Sequence, residues 1–284
     1  MPALDPRSIN SLVRSALRED IGRGDVTTLS TVPRSHRSAA DMRARKPLVV
    51  AGIAFAQAAF RQRSVNVKLK AGAKDGDFVE AGRTLLTISG SSQALLSAER
   101  VALNFVQQLS GVATLTRKFV DAIAGTGAKI LDTRKTTPGL RLAQKYAVTC
   151  GGGVNHRIGL WDRVLIKDNH LVAVRGAKPN AIAAAVARAR AKFPKLKVEV
   201  EADTLEQVAQ AVAAGADIIL LDNMTNAQLR EAVKIVGRKA RTEASGGVNL
   251  QTVRGIAETG VDYISVGALT HSARAVDIGL DFKL

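Results

Sequence analysis

Apolar and polar positions follow one rhythm in the first part of this chain and another in the second. Over residues 7–19, Ile9, Leu12, Val13, Ala16 and Leu17 recur at helical spacing. A glycine-broken loop, Asp20 to Thr28, comes next. Residues 38–50 read as a strand leading into Gly52, and residues 53–61 as a short apolar helix. From Val65 to Ser89 brief apolar runs alternate with turn residues: Val67–Leu69, the turn Lys74–Asp77, then Thr84–Ile88. This text predicts a mixed α and β unit. The longest helical stretch is Ser92–Ala124, with Leu95, Leu96, Val101, Leu103, Phe105, Val106 and Leu109 on its apolar positions. Gly111 inside it predicts either a break into two helices or a close crossing.

Beyond residue 127 the pattern becomes strand, loop, helix, repeated. Runs that read as strands are Ala128–Leu131, Val164–Ile166, Lys197–Glu201, Asp217–Leu221, Arg241–Ala244 and Tyr263–Val266. Helical periodicity lies between them at Arg141–Val148, Pro179–Lys192, Leu205–Ala214, Asn226–Val236 and Leu250–Glu258. Alternation at this period predicts a parallel sheet. A polar or glycine-rich residue closes nearly every strand, the mark of a barrel whose carboxyl-end loops build the site. Six strands are clear and a seventh is expected near Gly152–Val154, so the expected fold is α/β with an incomplete barrel of about seven strands. No Gly-x-Gly-x-x-Gly follows the first strand, so a dinucleotide-binding fold is not supported.

The strand ends carry the candidate chemistry. Arg134 and Lys135 follow the first apolar run and precede a Thr-Thr-Pro-Gly turn, so their side chains face opposite sides. Asn155-His156-Arg157 follows the run Gly151–Gly153, and Lys167-Asp168-Asn169-His170 follows Val164–Ile166. Three cationic segments, each abutting an apolar strand, point to a pocket for a ligand with several negative groups. Glu199 and Glu201 are two apart and share one side of a strand, and Asp222 closes another. Such carboxylates suit a magnesium ion, held directly or through water, beside a ligand pyrophosphate. The alternative is that they pair with Lys167 or Arg134, and the two uses are compatible. Ala244-Ser245-Gly246-Gly247 and Val266-Gly267 through His271 end the last two strands, where bare backbone N–H groups can approach a phosphate.

Charge and composition narrow the partners. The 284 residues carry a formal net charge of +16, which favours acidic ligands. Aromatic residues make up only 4%, and no run of five or more basic residues occurs, which disfavours a nucleic-acid binder. The lone cysteine, Cys150, allows no intrachain disulfide and sits at an expected helix end, where a buried thiol acts as a small apolar group. There is no apolar signal core and no run near the roughly 20 residues that span a bilayer. A soluble, cytoplasmic protein is expected.

The strings DTRKTTPGLR, QKYA, GGGVNHR, IKDNH, EVEAD, LLDN, ASGG and VGALTH occur here in that order. Their order and spacing resemble the quinolinate phosphoribosyltransferase family, from the Gly24–Thr28 loop to the Asp277–Leu280 tail. The resemblance implies an N-terminal α/β sandwich over residues 1–110, an incomplete α/β barrel over 111–270, and a tail, 271–284, packing back on the N-terminal domain. It implies phosphoribosyl transfer from phosphoribosyl pyrophosphate to quinolinate with decarboxylation. It also implies a homodimer in which Arg100, by spacing alone an exposed helix charge, reaches the partner's site. Arg100, Arg134, His156, Arg157 and Lys167 would then bind quinolinate. Lys135, between the two substrates, Glu201, Asp222, Ser245, Gly246, Gly267 and His271 would bind phosphoribosyl pyrophosphate. Lys135, Glu201 and Asp222 would be catalytic, and Glu201 and Asp222 would hold Mg2+. Rival readings are a nicotinate phosphoribosyltransferase, a paralogue linked to molybdenum transport, and a non-enzymatic nucleic-acid binder. The number of cations at the strand ends favours a dicarboxylate over a monocarboxylate.

Overall fold

The computed structural model describes residues 4–283. These residues group into two compact units: residues 4–117, 138–152 and 272–283, and residues 118–137 and 153–271.

In the first unit come α1 (Pro6–Ile21), α2 (Val26–Thr31), β1 (Arg37–Ala44), β2 (Leu48–Val49), α3 (Ile53–Arg63), β3 (Lys68–Ala71), β4 (Phe78–Val79), β5 (Thr84–Ser91) and most of α4 (Ser92–Ala122). The last strand of the chain, Ile278–Phe282, pairs antiparallel with β1 and completes a four-stranded sheet with β5 and β3. α1 packs on α3 through Ile9, Val13 and Leu17. The expected loop Asp20–Thr28 is not wholly irregular. Asp25 accepts from the Thr28 amide at 3.0 Å and starts α2 at Val26, a side-chain cap that satisfies an orphan helix donor. α4 is one continuous helix rather than two, so Gly111 is not a break. A Cβ on Gly111 would stand 2.1 Å from the carbonyl oxygen of Arg274, so glycine there permits a close crossing.

The second unit holds β6 (Lys129–Leu131), after which α5 (Arg141–Cys150) groups with the first unit despite its place in sequence. Then follow β7 (Val164–Ile166), α6 (Asp168–Ala173), α7 (Ala181–Lys192), β8 (Val198–Ala202), α8 (Leu205–Ala213), β9 (Ile218–Asp222), α9 (Asn226–Val236), β10 (Arg241–Ser245), α10 (Val253–Ala257), β11 (Tyr263–Ser265) and α11 (Ala268–His271). The terminal strand of the first unit is β12. The six strands form a parallel sheet in the order β6-β11-β10-β9-β8-β7, and Val154 adds a single parallel bridge to Leu131 at the β6 edge. Six strands and this bridge make the mixed α/β architecture that the alternating pattern predicts.

Each of these strands ends within a residue or two of the expected position. Helices cover both faces of a parallel sheet, so its apolar positions are fully buried. Val198, Val200, Ile219, Leu221 and Ile264 are completely buried. Helix starts are capped by their own sequence: Thr204 and Thr225 each form a capping box with Gln207 and Gln228. α10 is shorter than the expected Leu250–Glu258. Asn249 bonds the Gln251 and Thr252 amides, holding residues 249–252 as a turn before the helix begins.

Candidate active site

Residues two apart on a strand point the same way, and at the carboxyl ends of this sheet that rule stacks polar groups in two tiers. Glu201, Asp222, Ser245 and Gly267 form the upper tier; Leu220, Glu243 and Ser265 lie one step lower. All seven line a single cavity of about 830 Å³ in the second unit. Thr133, Arg134, Lys135, His156, Arg157 and Lys167 line the same cavity, with Gly246, Gly247 and His271. The structure therefore brings together every sequence-predicted site residue except one. Arg100 is exposed on α4 in the first unit and is not among the lining residues.

The cationic side is tied together by hydrogen bonds. Asp132, wholly buried, accepts from Asn155 Nδ2 at 2.6 Å and from the His156 amide at 2.9 Å. That carboxylate ties the loop carrying Arg134 to the loop carrying His156 and Arg157. Arg157 is only 9% exposed, and burial followed by the Arg134 guanidinium pushes its pKa down from the arginine range. Arg134 Nε is buried with no partner among the described residues. Two crowded guanidinium groups, one with an orphaned buried donor, make a receptor for a carboxylate, whose two oxygens match the fork of an arginine.

Opposite them, Lys167 Nζ is bonded to Glu201, the ion pair weighed above as an alternative use of that carboxylate. Asp222 accepts from Asn223 Nδ2 at 2.6 Å. Asn223 is the only non-glycine residue with positive φ among the described residues, at 53°, and its amide bonds the Ser245 carbonyl. Lys135, Gly267 and His271 converge: a Cβ on Gly267 would lie 3.1 Å from Lys135 Cδ and 3.2 Å from His271 Nε2. Thr270 Oγ1 donates to the Lys135 carbonyl at 2.7 Å and fixes that corner.

The lower tier holds Glu243, to which the sequence reading gave no role, beside Glu199. Glu199 and Glu243 are both fully buried. His156 Nδ1 accepts from the Arg157 amide at 2.8 Å, so Nε2 carries the ring proton and faces both carboxyls. Arg163 donates to Glu199 at 3.0 Å, and Ser265 donates to Glu243. His156, Glu199 and Glu243 place their ligand atoms within 4.8 Å of one another, a spacing open to a metal. The protonated Nε2 and the guanidinium on Glu199 already use those atoms, which makes the group a hydrogen-bonded layer. One signal for it was legible: Glu199 shares a side with Glu201, and Glu243 with Ser245, by the same two-residue step.

Comparison with known proteins places this chain in a family. A model described as quinolinate phosphoribosyl transferase, N-terminal domain, matches residues 25–110, and its C-terminal-domain counterpart matches residues 112–281. The carboxylating nicotinate-nucleotide pyrophosphorylase of Mycobacterium leprae (strain TN) is 46% identical over 277 residues, covering 95% of each chain. A probable enzyme of the same name from Bacillus subtilis (strain 168) is 42% identical, covering 97% of this chain and 94% of its own. Among solved structures, the nicotinate-nucleotide pyrophosphorylase from Francisella tularensis superposes with a TM-score of 0.93 at 40% identity, covering 99% of this chain and 98% of that one. NadC from Streptococcus pyogenes gives 0.94 at 39%, covering both chains completely.

Proposed function

Because the chain belongs to the quinolinate phosphoribosyltransferase family, we propose that its cavity performs that family's reaction with the residues described above. The protein transfers the phosphoribosyl group of phosphoribosyl pyrophosphate to quinolinate, releasing pyrophosphate and CO2 and leaving nicotinate mononucleotide, a step of NAD biosynthesis. The observation that carries the assignment of residues is the orphaned, buried Nε of Arg134 beside the crowded Arg157 guanidinium.

In this reading Arg134, Arg157 and Lys167 hold the two carboxylates of quinolinate. His156 orients Arg157 through its backbone amide. The pyridine nitrogen displaces pyrophosphate at the anomeric carbon through an oxocarbenium-like transition state. Glu201 and Asp222 lie where their charge stabilises that cation, and loss of one such electrostatic contact costs on the order of 10²–10³ in rate. The new pyridinium draws electrons from the ring carbon bearing the adjacent carboxylate. CO2 leaves, the electron pair stays on that carbon, and a solvent proton replaces the lost group. Lys135, between the two subsites, supports the developing negative charge.

Ser245, Gly246, Gly267 and His271 form the phosphate end. The hard oxygen donors of Glu201 and Asp222 face the same cavity and fit Mg2+, which when bound neutralises the departing pyrophosphate. Arg100 is assigned to the site of a second copy in a homodimer, an assignment supported by its exposure on α4. A cytoplasmic location is consistent with one cysteine and with the absence, among the described residues, of any helix long and apolar enough to cross a membrane.

One incubation tests the reaction. Purified protein with quinolinate, phosphoribosyl pyrophosphate and magnesium should yield nicotinate mononucleotide and CO2 together. Product formed from nicotinate instead, without CO2, would move the assignment to a monocarboxylate acceptor.

A further inference from the structure

Beneath the arginines lies a polar layer of which the reaction uses only His156. Its count of protons and charges is constrained by geometry. His156 Nε2 offers one N–H to two carboxyls, at 3.2 Å from Glu199 Oε2 and 3.5 Å from Glu243 Oε1. One guanidinium, that of Arg163, is bonded to Glu199. Glu243 has the Ser265 hydroxyl on Oε1, and its Oε2 is buried without a partner among the described residues. Among the described residues, no lysine or arginine is bonded to Glu243. The groups facing it are Glu199 from β8, Arg163 ahead of β7, His156 from the segment after β6, and Ser265 on β11, with Leu220 as its register partner on β9. A second full negative charge buried here would stand beside the first without a counter-ion, so the second carboxyl keeps its proton.

We propose that Glu243 is a positioning residue for the dicarboxylate subsite: a neutral acid that props His156 beneath Arg134 and Arg157 and leaves their charge undiminished for the ligand. Burial, and then the charge of Glu199, hold the Glu243 acid well above the carboxylate range. Glu199 already accepts from His156 Nε2 at 3.2 Å and from Arg163 Nη1 at 3.0 Å. The pair thus divides into one ion and one acid. The neutral carboxyl keeps its hydrogen bond to Ser265 and closes the cavity floor. Its ionised form would place a negative charge under the two arginines, weakening a bound dianion by on the order of tenfold or more at protein-interior distances.

This inference rests on the quinolinate reading of the cavity, and its test separates the two. Infrared spectra of the full chain at neutral pH should show a protonated-carboxyl carbonyl band that disappears in Glu243→Gln. Calorimetry with quinolinate should show Glu243→Ala weakened tenfold or more. Glu243→Gln, which keeps shape and neutrality, should restore the affinity to within threefold of wild type. Titration with phosphoribosyl pyrophosphate and magnesium should change less than threefold in both. No such band in the wild type would overturn the proposal. So would a tenfold loss of quinolinate in the Gln variant, or an equal loss of both ligands in the Ala variant. Should the Ala variant not fold, the band and the Gln affinity decide. If wild type does not bind quinolinate at all, the reading of the cavity falls, while the band still reports on Glu243.

Discussion

Gly246 and Gly247 are neighbours with different reasons to be glycine, and the difference can be measured. Gly246 has φ +98°, and a Cβ there would lie 2.1 Å from Asn223 Oδ1 and 3.0 Å from Asn223 N. Gly247 has φ +58°, and a Cβ would meet nothing within 4 Å. Gly247→Ala therefore pays only for a left-handed backbone, about 1–2 kcal/mol. Gly246→Ala pays a similar backbone cost plus about 1–3 kcal/mol for overpacking against Asn223, or roughly 2–5 kcal/mol in all. The second part has a functional consequence. Asn223 holds Asp222 through a 2.6 Å bond, and its own amide bonds Ser245, so pushing it aside disturbs a carboxylate and the phosphate loop together. Losing a hydrogen bond to a charged group costs about 1.5–3 kcal/mol, so affinity for phosphoribosyl pyrophosphate with magnesium should fall on the order of ten- to hundredfold in Gly246→Ala. In Gly247→Ala it should fall no more than threefold, and quinolinate affinity should hold in both. Urea unfolding and calorimetry on the two variants read both quantities. Equal stabilities, or unaltered phosphoribosyl pyrophosphate binding in Gly246→Ala, would refute the role given to Asn223.

Other outcomes follow from the same geometry. Arg134→Ala should weaken quinolinate far more than phosphoribosyl pyrophosphate, on the order of tenfold or more, because a bidentate carboxylate contact is lost; unchanged quinolinate affinity by calorimetry would remove the assignment. Arg100→Ala should be inactive alone, yet regain activity when mixed with an inactive Glu201→Ala protein, if one copy completes the site of another. No rescue, with subunit exchange verified by mass spectrometry, would count against a shared site. Glu243 also makes a prediction for stability. Its pKa is raised in the folded state, so its contribution is fully present below the unfolded value and is lost as pH rises through the folded one. Glu243→Gln should thus gain stability over wild type as pH increases above about 5, by at most about 1.4 kcal/mol per pH unit. Parallel melting curves from pH 5 to 9 would contradict it.

How far the sequence foretold this structure depends on where each residue's partners lie. The six strands of the parallel sheet were legible because short strand-like runs alternate with helical ones, and the turn residues after them mark where each stops. Arg134, Lys167, Glu201 and Asp222 were legible because a charge at a strand end has few structural reasons to be there. β12 was not: Ile278–Phe282 is short, contains Gly279, and is a strand only because β1 lies beside it from the other end of the chain. Gly111 admitted two readings, since only the approach of Arg274 tells a crossing from a break. Glu243 was hidden for a related reason. Within Arg241–Ala244 it looks like one more charge on an alternating strand, and its partners, Glu199 and Ser265, sit on other strands.

That hidden tier bears on why a cavity with several carboxyls can receive anions. Four cations line it, Arg134, Lys135, Arg157 and Lys167, against the upper carboxylates Glu201 and Asp222. Lys167 and Glu201 already satisfy each other, so the surplus attraction comes chiefly from the other cations. Two more carboxylates directly below would cancel much of that surplus if both were ionised. Arg163 neutralises one and a proton neutralises the other, so the arginine wall keeps its charge. The same buried acids satisfy the ring of His156, which anchors the amide of Arg157. Shape and charge are therefore not separable in this cavity: the carboxyls that hold the wall in place do not spoil its potential only because one is paired and the other is neutral.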